Sequence, residues 1–141
     1  MIVETLRGIH AKHRLNEADV SAHTRSAQKI TKAWQQSVCD ENVQAEVSVS
    51  PGGNEKIDIV DLRNREAYEL KVSGKNTHHE FYKDLVKVLT YNEYTEPEKR
   101  LKKLIFISET KGIKSLQSRL DEKLLAMLYK THGLTVELVS I

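Results

Sequence analysis

The sequence predicts an α/β protein of three layers, α/β/α, built on a mixed sheet. The expected order is helix, three antiparallel strands, helix, strand, helix, strand, so that the core reads αβββαβ. Three observations carry this expectation. Residues 55–72 hold two apolar, β-branched runs, KIDIVDL and EAYELKV, about a polar break at Arg63-Asn64-Arg65, which reads as a β-hairpin. Ahead of it, VQAEVSVS alternates, with Val43, Ala45, Val47 and Val49 on one face of a half-buried strand. Behind it, LKKLIFIS and LTVELV are separated by an amphipathic stretch. Strand–helix–strand there implies a right-handed parallel crossover.

Length and composition bound the rest. At 141 residues the chain reads as one domain spanning 1–141, long enough to bury a layered core. Charged residues make up 30% and hydrophobic ones 39%, and no apolar run is long enough to span a bilayer. The first residues, MIVETLRGIHAKHR, lack an apolar signal core, and Cys39 is the sole cysteine. Both features point to a cytoplasmic protein without a disulfide. A net charge of +2 is too small to mark a polyanion partner, so any nucleic-acid contact must come from a local patch.

In chain order, residues 2 to about 13 form a short amphipathic helix with Ile2, Leu6 and Ile9 on one stripe. A longer helix is expected from Asn16, its N-cap, to about Ser37, with Val20, Ala27, Ile30, Trp34 and Val38 at helical spacing. Trp34 reads as a packing anchor. Ser50-Pro51-Gly52-Gly53-Asn54 is a turn. Thr77 and Glu80 have the spacing of a capping box, opening a helix that turns Phe81, Leu85, Val88 and Leu89 to the core. Lys83 and Lys87 fall on another face, with Lys75 just upstream. These cations beside a helix N-terminus suit phosphate oxygens. His78 and His79 diverge by about 100° on a helix and cannot easily chelate one ion, so contact with nucleic acid suits them better. Ile113, Leu116, Leu120, Leu124 and Leu128 mark one further helix, closed by Gly133.

The hairpin poses the functional question. Asp58, Glu69 and Lys71 are charged residues set among Ile57, Ile59, Val60, Leu70 and Val72, and charge in a buried strand is costly unless paired or metal-bound. Strand alternation puts Glu69 and Lys71 on one face. An even loop centred on Asn64-Arg65 would set Asp58 opposite Lys71 and Val60 opposite Glu69, with Asp58 diagonal to Glu69. A three-residue loop would offer Asp61 instead. Asn-Arg specifies its turn weakly, so Asp58 is preferred and Asp61 stays open.

An Asp in an IDIV strand followed by ELK in the next resembles the PD-(D/E)xK nucleases, the restriction-endonuclease-like group, although Lys56-Ile57 rather than a proline precedes Asp58. The resemblance covers about residues 16–108. It implies Asp58 and Glu69 as metal-binding carboxylates, with the Leu70 carbonyl as a further ligand, and Lys71 as the catalytic lysine. It also implies an acidic residue from the first core helix, for which Glu17 is the candidate. The expected cofactor is Mg²⁺ or Mn²⁺, the substrate double-stranded DNA, and the assembly a homodimer that cuts both strands. Two alternatives remain: a catalytically silent nucleic-acid-binding or assembly module, and a nuclease acting on RNA or branched DNA.

Overall fold

The computed structural model describes residues 1–15 and 23–141. Helices α1 (Ile2–Leu15) and α2 (His23–Val38) lead into strands β1 (Val43–Ser48), β2 (Lys56–Asp61) and β3 (Glu66–Lys71). Helix α3 (Thr77–Glu93) and a 3₁₀ turn at Pro97–Lys99 precede β4 (Lys103–Ser108). Helices α4 (Thr110–Arg119) and α5 (Glu122–His132) then lead to β5 (Thr135–Ser140). The strands lie in the order β1-β2-β3-β4-β5 as one open sheet. Strand β2 runs antiparallel to both β1 and β3, and β3, β4 and β5 are parallel. Among the described residues, no helix is long and apolar enough to cross a membrane.

Two apolar clusters, one on each face, hold the helices to the sheet. Leu6, Ile30 and Trp34 of α1 and α2 pack on Ile59, Tyr68, Ile105 and Ile107. Trp34 is fully buried as a packing anchor and donates its indole N–H to the Ile2 carbonyl at 3.0 Å. On the opposite face, Phe81, Leu85, Val88, Ile113, Leu116 and Leu128 cover Val60, Ala67, Leu104 and Phe106. Strand β4 shows the regular pleat, giving Leu104 and Phe106 to one cluster and Ile105 and Ile107 to the other.

Strands β1 and β2 break that pleat at one place. Val43 and Ile59 belong to the α1/α2 cluster, whereas Val47 and Ile57 belong to the α3 cluster. The ladder pairs Ala45 with Ile59 and Val47 with Ile57 and skips the residues between, Glu46 and Asp58. Glu46 takes a left-handed φ of 53°, so the strand changes face there. The expectation that Val43, Ala45, Val47 and Val49 share one face is corrected accordingly.

Two further expectations change. The helix expected through Leu128 is two helices. Leu120 is extended and Asp121 caps a new start by accepting the Lys123 N–H at 2.8 Å, the usual competition of an Asp side chain with helix continuation. Thr77 does not build a capping box. Asn76, in the left-handed region with φ 55°, precedes α3, and the Thr77 hydroxyl donates to the Gly112 carbonyl at 3.1 Å. Gly133 does end α5 in the left-handed region, at φ 62°. The expected helix start at Asn16 and the position of Val20 lie outside the described residues.

Candidate active site

The hairpin register is shifted by two residues from the one expected for a loop centred on Asn64-Arg65, and the loop is longer. Ile59 pairs with Tyr68, Val60 with Ala67 and Asp61 with Glu66, which leaves Leu62–Arg65 as the loop. Asp61 sets this register. Its Oδ1 accepts the N–H groups of Arg63 and Asn64, both at 3.1 Å, its Oδ2 accepts the Asn64 amide at 2.8 Å, and Arg65 adopts a φ of 56°. The alternative ligand Asp61 is thus a turn residue at the far end of the hairpin. The expected pairs Asp58–Lys71 and Val60–Glu69 are displaced, and continuing the observed register puts Asp58 directly opposite Glu69.

Where the ladder would continue, side chains take its place. The Asp58 N–H donates to Glu69 Oε1 at 2.9 Å, and the Leu70 N–H donates to Asp58 Oδ2 at 2.8 Å. Each carboxylate therefore grips the backbone of the other strand. Glu69 is 2% exposed, while Asp58 remains partly open.

Helix α3 closes the site from one side. Lys87 Nζ donates to Glu69 Oε2 at 2.8 Å and to the Lys56 carbonyl at 2.7 Å, and it lies 3.1 Å from Asp84 Oδ1. Lys87, expected on a cationic surface beside Lys83, turns inward instead, because it stands on the α3 face that meets β2 and β3. Asp84 is a site residue that sequence reasoning missed. Its signal was its place between Phe81 and Val88 on the apolar stripe of α3, where a carboxylate needs a partner.

Three carboxylates around one ammonium carry net negative charge, and burial acts on all of them. Burial pushes the Asp58 carboxyl up to about 6, against the opposing pull of the Leu70 N–H and Lys87. Burial, then the charges of Asp58 and Asp84, raise Glu69 well above the ordinary carboxylate range. Burial also raises Asp84, although its hydrogen bond with Glu69 and the Lys87 charge pull the other way. For Lys87, burial alone would lower the pKa, but Glu69 and Asp84 more than offset that and hold it charged.

Lys71 lies two residues beyond Glu69 at the end of β3, partly exposed. It lines a cleft of about 990 Å³ between α2 and the C-terminal ends of β3 and β4, together with Thr31, Lys32, Gln35, Lys75 and Lys111. Asp58 and Glu69 are not in this lining. Gln35 joins the two regions, donating to the Asp58 carbonyl at 3.0 Å and to Glu46 Oε1 at 3.2 Å. Of the cationic patch expected around α3, Lys75 lies on the cleft, whereas His78, His79 and Lys83 do not. His78 packs edge-on against Tyr82, and His79 and Lys83 are exposed on the outer side of the helix start. Glu17 lies outside the described residues.

Among the described residues, no group of three or more His, Cys, Asp or Glu is placed to hold a metal ion. What the hairpin offers is two carboxylates, with the Leu70 main chain between them, in a setting short of positive charge. That donor set is all oxygen, and it fits a hard divalent cation better than a soft one. Compared with protein-family models, curated proteins and solved structures, the chain finds no match.

Proposed function

We propose that the protein is a divalent-metal-dependent endonuclease that hydrolyses phosphodiester bonds in DNA, with a restriction-endonuclease-like core over about residues 16–108. The observation that carries this reading is the cross-strand grip of Asp58 and Glu69, with Lys71 two residues further along β3 on the rim of a cation-lined cleft. An ion-paired strand charge with no task would be matched one to one. Here three carboxylates, two of them buried, face one lysine, and such clusters of perturbed groups occur at functional sites.

In this reading Asp58, Glu69 and the Leu70 carbonyl hold Mg²⁺ or Mn²⁺, which supplies polarisation of the phosphate and a more acidic water. Lys71 orients that water or takes its proton and offsets negative charge developing on the phosphate. Lys32, Lys75 and Lys111 lie around the same cleft and hold backbone phosphates, at the carboxyl ends of parallel strands where ligands of open α/β sheets bind. Double-stranded DNA would need two such sites for cleavage of both strands, hence a homodimer acting in the cytoplasm.

A second reading has its own observation. Because Lys87 already neutralises Glu69, the cluster can be stable without metal, which suits a catalytically silent nucleic-acid-binding module. One assay separates the readings and also tests RNA and branched DNA. Plasmid, oligonucleotide duplex, a four-way junction and RNA are incubated with the protein in Mg²⁺, Mn²⁺ or EDTA. Metal-dependent DNA cleavage lost in Asp58→Ala, Glu69→Ala and Lys71→Ala is expected. Undiminished cleavage by Asp58→Ala would refute the site, and binding without turnover in either metal would favour the silent module.

A further inference from the structure

Lys87 Nζ donates to Glu69 Oε2 at 2.8 Å and to the Lys56 carbonyl at 2.7 Å, and it forms an ion pair with Asp84 Oδ1 at 3.1 Å. Its side chain is only 10% exposed. Lys56 belongs to β2 and Glu69 to β3, so one cation from α3 ties together the two strands whose ladder is interrupted at Asp58 and Glu69. Its helix is anchored on either side by Leu85 and Val88, so the ammonium cannot retreat far without disturbing the core. A buried ion pair contributes little net stability compared with apolar packing. Placing the lysine there is therefore not explained by stability alone.

From this geometry we propose that Lys87 is a tethered counter-cation. It holds the Asp58–Glu69 pair in place while no divalent ion is bound, and it weakens the grip on that ion once bound. The inference rests on the reading above, that Asp58 and Glu69 form the metal site. Two effects follow from one charge. Without metal, the ammonium offsets the repulsion between the carboxylates and bridges the strands. With metal, it becomes a like charge beside a divalent cation that shares the Glu69 carboxylate, and like charges in a partly desolvated site repel strongly. Lys87 is then a positioning residue, acting through Glu69, that keeps metal exchange reversible.

The test is calorimetric titration of Mn²⁺ into the full chain at pH 8 without nucleic acid, with thermal unfolding in EDTA and in Mn²⁺. The proteins are wild type, Lys87→Met, Lys87→Gln, Lys87→Arg and Asp58→Ala. Lys87→Met and Lys87→Gln should bind Mn²⁺ about tenfold tighter or more, the order expected for removing one nearby positive charge. They should also unfold at lower temperature in EDTA, with the deficit shrinking in Mn²⁺. Lys87→Arg, which keeps the cation, should stay near the wild-type affinity. Equal or weaker Mn²⁺ binding in both neutral variants would overturn the inference while leaving the metal site standing. If both neutral variants are unfolded in EDTA, recovery of folding in Mn²⁺ supports the inference and failure to recover overturns it. If wild type binds no Mn²⁺, or Asp58→Ala binds it equally well, the metal-site reading fails and takes this inference with it.

Discussion

Asp58 and Glu69 each accept a hydrogen bond from the backbone of the other's strand, at 2.8 and 2.9 Å, where the β2–β3 ladder would otherwise continue. The pair is at once a strand connection and a source of negative charge, and the two roles can be separated by substitution.

Asp58→Ala and Glu69→Ala each leave a backbone N–H without its acceptor in a largely buried setting, which costs about 1–3 kcal/mol each. Asp58→Asn and Glu69→Gln keep one oxygen acceptor for that N–H and lose the charge, and Glu69→Gln also gives up the second acceptor that Lys87 uses. Denaturant unfolding should therefore show the amide variants to be clearly more stable than the alanine variants. In the proposed nuclease all four abolish cleavage. Amide variants that cleave normally would remove the carboxylates from the mechanism.

Asp58 also predicts a pH dependence. Burial raises its pKa from 3.8 to about 6, so the folded state favours the protonated carboxyl. Its stabilising contribution is complete below about pH 3.8 and is lost as pH rises through about 6. Glu69 and Asp84 are shifted in the same direction and add to the effect. In EDTA, the stability difference between wild type and Asp58→Asn should move against wild type between pH 4 and 7. Stabilisation by Mn²⁺, which needs the ionised carboxylate, should run oppositely and grow across that range. Melting temperatures across a buffer series measure both.

Lys71 and Asp61 should behave as opposites. Lys71 is partly exposed on the cleft, so Lys71→Ala should change stability by no more than about 0.5 kcal/mol while cleavage falls about 10²–10³-fold. Asp61, 6% exposed, holds the hairpin turn through two backbone N–H groups, so Asp61→Ala should cost about 1 kcal/mol or more and leave cleavage intact. Loss of cleavage in a folded Asp61→Ala protein would return Asp61 to the list of ligands.

Gly112 is the tightest backbone contact beside the cleft. A Cβ there would lie 2.5 Å from Thr77 Cγ2 and 2.9 Å from Gly74 Cα, and the latter is main chain that cannot swing aside. Gly112→Ala should destabilise by about 1–3 kcal/mol. Adding Thr77→Ser, which removes Cγ2 and keeps the hydroxyl bonded to the Gly112 carbonyl, should recover part of that loss. Additive losses in the double variant would show that the methyl contact is not the cause.

Much of this was legible in the sequence. The strands announced themselves through β-branched alternation, whereas the pleat alone put Glu69 and Lys71 on one side and did not reveal that Glu69 meets Lys87 of α3 while Lys71 lines the cleft beside α2. The hairpin register was not legible, because Asp61 decides it by capping the turn, and a capping aspartate looks like any other acidic residue in a strand. The inward turn of Lys87 was hidden for a related reason. Helical spacing places it near Lys83, and only the partner strands reveal that Glu69 and the Lys56 carbonyl wait on that side. Asp84 carried a readable signal, a carboxylate on an apolar stripe. The cleft joins Lys32 of α2 to Lys71, Lys75 and Lys111, which are distant in sequence, and no local pattern links them.

The change of face at Glu46 and Asp58 has a mechanical meaning. In a regular strand Ile57 and Ile59 would lean the same way, and Asp58 would be braced from one side of the sheet only. Here Ile57 is seated among the α3 side chains and Ile59 among those of α1 and α2. The aspartate is thus fixed like a bolt between two opposed nuts. Slackening either layer would let it rotate, so the geometry of the acidic pair depends on both halves of the protein at once.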